Sequence, residues 1–142
     1  MYRKGFVLLA ALLAMASCAT FAATLTFSAT LNAATEVPPK ESNGTGIVQV
    51  NYDTDTKVMN YTVNYSALTG PATAAHFHGP AAAGVNAGVA VPVKGALVSP
   101  IEGTATLTDD QAKELQAGMW YFNVHTAANP GGEIRGQVLP LK

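Results

Sequence analysis

Cysteine, charge and long apolar runs are all scarce in this chain, and each scarcity narrows what it can be. The one cysteine, Cys18, stands near the start, so the body of the chain carries no disulfide and must be held by a buried core. Charged residues make up 12% of the sequence, and setting aside Arg3 and Lys4 leaves six basic against nine acidic side chains. A mildly negative balance offers no surface for nucleic acid or for an anionic membrane. Beyond residue 22 no apolar run approaches the roughly 18 residues of a membrane-spanning helix, so no transmembrane segment is expected after processing. There is also no G-x-S-x-G elbow, Walker loop or H-E-x-x-H helix. The neighbouring carboxylates Asp53/Asp55 and Asp109/Asp110 stand where a turn and a helix start need them, not as acid/base pairs.

What is present begins with an export signal. Arg3 and Lys4 precede an apolar run from Gly5 to Ala16, followed by the small residues Ser17 to Thr20. This is the charged, apolar and cleavable order of a secretory signal peptide, with Thr20 and Ala22 placed for cleavage after Ala22. Residues 1–22 are therefore read as signal and 23–142 as one domain, secreted or periplasmic. Met15-Ala16-Ser17-Cys18 also resembles a lipobox, which would anchor the mature chain through a lipid on Cys18.

Period-two alternation dominates the mature chain. Leu25, Phe27, Ala29 and Leu31 alternate with threonine and serine; Val48, Val50 and Tyr52 repeat the pattern, as do Met59, Tyr61, Val63 and Tyr65. Such alternation marks half-buried strands. Asp53 to Thr56 separates two of them as a hairpin turn. Glu36 to Gly44, read as a surface loop, and Gly79 to Gly88, read as an irregular connection, are too rich in proline or glycine for a central sheet, and Pro92 among Val89, Val91 and Val93 marks an edge strand. Trp120, Phe122 and Val124 form the core side of another strand, joined to the last through Asn129-Pro130-Gly131-Gly132. One segment alone reads as helix, near 109–117, opened by a capping box of Thr108 and Gln111. The pattern predicts an all-β fold: an antiparallel two-sheet sandwich with Greek-key-like connections, of the immunoglobulin or superoxide-dismutase kind, with one short helix.

The chain has three histidines, and they concentrate in two short motifs, Ala75-His76-Phe77-His78-Gly79 and Asn123-Val124-His125-Thr126. Residues two apart on a strand share a face, so His76 and His78 can reach one ion while Phe77 points to the core. His125 lies opposite Trp120, Phe122 and Val124, also away from the core. If the two strands are neighbours, three imidazoles converge on one ion, a set that suits zinc or copper, with copper ahead in affinity order. The bland reading is that the histidines hold loop carbonyls. Glu133 and Arg135 share the non-core side of the last strand. They read either as a surface ion pair or cross-strand contact, or as functional partners, Glu133 orienting a histidine or itself ligating the metal and Arg135 drawing an anion.

Three segments taken together resemble a known family. They are Leu31 to Pro39 (LNAATEVPP), Ala74 to Ala81 (AAHFHGPA) and Tyr121 to Gln137 (YFNVHTAANPGGEIRGQ), and they closely resemble the CHRD domain, the module named after chordin and found in short bacterial secreted proteins. The resemblance implies an extracellular β-sandwich and no particular activity. His76-x-His78 is also similar to the copper strand of Cu/Zn superoxide dismutase, but three histidines are too few for that binuclear site. Three functions are compatible with these residues: a non-catalytic module binding copper or zinc through His76, His78 and His125; a metal-independent module recognising an envelope or extracellular protein or a glycan; and a mononuclear copper enzyme with redox or dismutase-like activity.

Overall fold

A computed structural model describes residues 23–142; the expected signal segment and Cys18 lie outside the described residues. Eight strands and one helix follow in the order β1 (Thr24–Asn32), β2 (Thr45–Asp53), β3 (Val58–Ser66), β4 (Ala72–His78), β5 (Val89–Pro92), β6 (Ile101–Thr106), α1 (Asp109–Gln116), β7 (Trp120–Thr126) and β8 (Ile134–Pro140). A 3₁₀ turn over Ala33–Thr35 follows β1. All strand pairings are antiparallel, in the lateral order β5-β4-β7-β8-β1-β2-β3-β6.

The expected two layers are the two halves of this one continuous ladder, folded over on itself. Its apolar positions make one core containing Phe27, Leu31, Val48, Val50, Met59, Phe77, Trp120, Phe122 and Val138, all at most 1% exposed. The Tyr61 and Phe77 rings meet edge to face at 5.1 Å although β3 and β4 stand far apart in the ladder, so the halves face each other across the core. The fold lies at the β1–β8 seam, where the register is sparse: Phe27 against Pro140, Ser28 against Leu139 and Asn32 against Arg135. Gly136 lets the strands close there, since a Cβ at this position would stand 2.2 Å from the Thr30 carbonyl oxygen.

Local chemistry accounts for the ends of the elements. The Asp53 carboxylate accepts from the amides of Asp55 and Thr56 and so fixes the β2–β3 turn. Thr108 accepts from the Gln111 amide while the Gln111 side chain accepts from the Thr108 amide, giving α1 its capping box. Pro92 sits on β5, a strand with one partner, where a missing N–H breaks no ladder. No helix among the described residues is long and apolar enough to cross a membrane.

The two halves differ on their outer faces. On β2 the outward Thr45, Ile47, Gln49 and Asn51 are exposed, as alternation predicts, but every residue of β7 is buried. The segments 36–44 and 79–88 supply the cover. Asn86 donates to the Val37 carbonyl to join them, and Ala81 and Gly79 are tied to Met119 and Gly88. The non-core face of β4, β7 and β8 is thereby a second, polar interior, and the histidines lie in it.

Candidate metal centre

β4 pairs with β7, placing His76 opposite Asn123, Ala74 opposite His125 and His78 opposite Tyr121. Alternation then brings His76, His78, Tyr121, Asn123 and His125 to one face. His78 is 8% and His125 9% exposed, while His76 is half-buried and gives the cluster its contact with solvent. One ligand atom from each histidine lies within 4.8 Å of the others. His76 Nδ1 is 3.1 Å from His125 Nε2, and the His76 ring stands edge to face with both of the others.

Backbone carbonyls aim two of the rings. His78 Nδ1 lies 3.0 Å from the Ala87 carbonyl oxygen and His125 Nδ1 lies 2.9 Å from that of Pro130. A carbonyl only accepts, so the neutral rings carry their protons on Nδ1 and turn bare Nε2 lone pairs inward. This is the arrangement that orients metal-ligating imidazoles. Burial, reinforced by the charges of the other histidines, lowers the pKa of His76. Burial also lowers that of His78, outweighing its hydrogen bonds. Both rings are held in the neutral form that can ligate.

Sequence reasoning missed two residues of the cluster. Asn123 Oδ1 lies 3.0 Å from His78 Nε2 and 2.9 Å from His125 Nε2, and Asn123 Nδ2 donates to Glu36 Oε1 at 3.4 Å. Glu36, expected in a surface loop, is 4% exposed, and burial raises its pKa against the hydrogen bonds and the nearby Arg135 charge that lower it. Gly132 makes room for this contact: its φ is +124°, and a Cβ there would stand 2.2 Å from Glu36 Oε1. Asn123 was legible as a face-mate of His125, two residues away. Nothing in the sequence around Glu36 points to it.

Glu133 and Arg135 are not on the surface, at 0% and 2% exposure, and they do not pair with each other. Arg135 donates to Asn86 Oδ1 at 2.8 Å and to the Val85 carbonyl at 2.6 Å. Its guanidinium lies 3.4 Å over the Tyr121 ring, and that ring stacks on His78 at 4.7 Å. Arg135 thus grips the loop whose Ala87 carbonyl aims His78, and backs His78 through Tyr121. Glu133 faces elsewhere. Its carboxylate accepts from Ser42 Oγ, the Thr69 amide and hydroxyl, Thr126 Oγ1 and Asn129 Nδ2 at 2.5–3.2 Å, and from no histidine. Burial alone would raise its pKa, but the bonds from Ser42, Thr126 and Thr69 prevail and hold it at about 2.

The model of the CHRD domain matches residues 27–138, nearly all of the folded chain. The chain belongs to the CHRD domain family. No curated protein and no solved structure matches it. The three segments that carry the resemblance meet in this CHRD domain at one place: Glu36 from the first, His76 and His78 from the second, Asn123, His125 and Arg135 from the third.

Proposed function

We propose that this CHRD domain is an exported, non-catalytic module that holds one divalent ion, copper or zinc, through His76, His78 and His125. The observation that carries the reading is the aim of the imidazoles: carbonyls at Nδ1 of His78 and His125 turn both Nε2 lone pairs onto the space that His76 also reaches. A histidine cluster that merely held loops would need its Nδ1 protons but no convergence of its Nε2 atoms. Export to the periplasm or beyond is supported by the N-terminal signal pattern, and the first described strand begins at Thr24, just past the expected cleavage after Ala22. Elemental analysis of protein isolated from the envelope or medium, with titration calorimetry of zinc and copper(II), tests this. One equivalent per chain is expected, and its loss in a triple His→Ala variant; equal binding by that variant sinks the reading.

A second reading has one observation in its favour. The 79–88 loop is clamped by Arg135, yet Val85 at its tip is 53% exposed, as a segment presented to a protein or glycan would be. Replacing this loop by a short glycine turn should then abolish partner capture in envelope pull-downs without unfolding the sheet.

A further inference from the structure

Asn123 lies on β7 directly opposite His76 and is 3% exposed. Its Oδ1 contacts to His78 and His125, at 3.0 and 2.9 Å, are not ordinary hydrogen bonds once the protons are placed. Both imidazoles carry theirs on Nδ1, toward Ala87 and Pro130, so an amide oxygen and two nitrogen lone pairs face one another. His76 Nδ1, 3.1 Å from His125 Nε2, can donate to that nitrogen, but Asn123 Oδ1 and His78 Nε2 still face each other as acceptors, and such a pair repels unless a proton or a cation lies between them. The amide is turned so that Nδ2 faces Glu36 Oε1 and Oδ1 faces the histidines. With Nδ2 donating to Glu36, the oxygen is left for a cation. Four donors held about 2.0–2.2 Å from one ion in a tetrahedron stand roughly 3.3–3.6 Å from one another, so the Oδ1 contacts of 3.0 and 2.9 Å need open by only a few tenths of an ångström to admit the ion.

We propose, on the footing that the three histidines bind a divalent ion, that Asn123 Oδ1 is the fourth donor and closes the shell. Four protein ligands make a site of the structural kind, whereas catalytic zinc sites keep a position for water or substrate. The shell is neutral in charge, three imidazoles and an amide, and a carboxylate on Glu36 offsets one of the ion's two charges from one bond further out. The domain is thereby built to retain its ion and not to activate a molecule on it.

The test compares the full mature domain with Asn123→Leu and Asn123→Ala, each first shown to unfold cooperatively without metal. Zinc is titrated by calorimetry, and cobalt(II) is used as a spectroscopic stand-in, since four-coordinate cobalt absorbs visible light far more strongly than six-coordinate cobalt. The parent is expected to bind one equivalent with the intense four-coordinate spectrum. Both variants should bind zinc at least about tenfold more weakly, with an altered cobalt spectrum. If the parent binds but the variants match or exceed it with an unchanged spectrum, Asn123 is not a ligand. A parent that binds neither ion removes the three-histidine reading itself, and the fourth donor with it. Should both variants lose the fold, the double variant Asn123→Asp, Glu36→Gln keeps the oxygen and supplies an amide donor opposite it, and must hold zinc at least as tightly as the parent; weaker binding by the folded double variant overturns the assignment.

Discussion

Two buried polar clusters are built against β7, one at its end around Glu133 and one on its outer face around Asn123, and they are complete in opposite senses. Around Glu133 five donors converge on one carboxylate, so its acceptors are met by hydroxyl, amide and backbone groups of the chain itself. Around Asn123 an amide oxygen lies 3.0 Å from His78 Nε2 and 2.9 Å from His125 Nε2, and with both rings protonated on Nδ1 the one ring donor left to the group is His76 Nδ1, 3.1 Å from His125 Nε2. Buried polar groups persist where they are paired, and an unpaired one costs free energy. The first cluster therefore needs nothing from outside, whereas the second has fewer donors than acceptors, the shortage that the proposed ion fills. Proximity to a histidine motif would not separate them, since Glu133 and Asn123 both stand within eight residues of His125. Counting donors against acceptors does.

The comparison breaks most sharply at Glu133. Glu133→Ala leaves the Thr69 amide and three hydroxyls without their acceptor in a closed interior, and at about 1–3 kcal/mol for each buried donor left unpaired the loss should be at least about 3 kcal/mol. Urea denaturation should show that loss. Zinc affinity of the remaining folded fraction should stay within twofold of the parent's, because none of the carboxylate's bonds reaches a histidine. A tenfold loss of affinity would merge the two clusters into one.

Acid separates the same two clusters next. Glu133 is held at about 2 in the folded chain against 4.5 for the free side chain. The unfolded chain therefore takes up the proton first, and the stability of this carboxylate is present above about pH 4.5 and lost as pH falls toward 2, roughly 3 kcal/mol in all. His76 and His78 are also lowered, from 6.5, so by the same sign their share of stability begins to fall below that pH. The expected stability profile has two acid limbs. Glu133→Gln should remove the lower one, and saturating zinc should move only the upper one, since bound metal excludes protons from imidazole. A single limb unaffected by either change would contradict the assignment.

Much of this was legible in the sequence, and what escaped has physical causes. Alternation is a statement about one buried face, so it located β1 to β3 and β7, and the Thr108–Gln111 pair located α1. It failed for β6, where Ile101, Gly103 and Ala105 are mostly too small to register; the Tyr61 ring fills the space over Gly103. It also misled about β7, whose Tyr121, Asn123 and His125 read as a solvent face because their alternation with Trp120, Phe122 and Val124 is regular. That face is interior only because the 36–44 and 79–88 segments fold onto it, a tertiary event without a local periodicity. Hence the histidines were found, as rare residues at strand spacing, while Asn123 and Glu36, common residue types in motifs of no obvious chemistry, were not.

Metal loading should stabilise the domain by a smaller amount, set by mass action. At a free zinc concentration one hundred times Kd the gain is about 2.7 kcal/mol, read as a rise in Tm. Each single substitution of His76, His78 or His125 by alanine should abolish most of that rise at the same zinc concentration. A rise that survives in all three variants would place the ion elsewhere.

The smallest effect expected is also the one that tells the two outer residues apart. Arg135 touches no histidine, but it holds the Val85 carbonyl and Asn86, next to the Ala87 carbonyl that fixes His78, and it covers Tyr121, on which His78 stacks. Arg135→Lys keeps the charge while losing the planar fork and the flat contact with the ring, two features for which lysine is no substitute. The cost to stability should be about 2 kcal/mol, the scale of the cation–π contact and of one of the two hydrogen bonds, with lysine able to keep the other. Zinc affinity should nonetheless fall by up to about tenfold, because the orientation of a ligating imidazole is lost with its support. Glu133→Gln, by contrast, should lower stability and leave affinity alone. Two substitutions, one at each cluster, would then move stability and affinity in separate directions, and Arg135→Lys with parental affinity would show that the loop holds His78 without it.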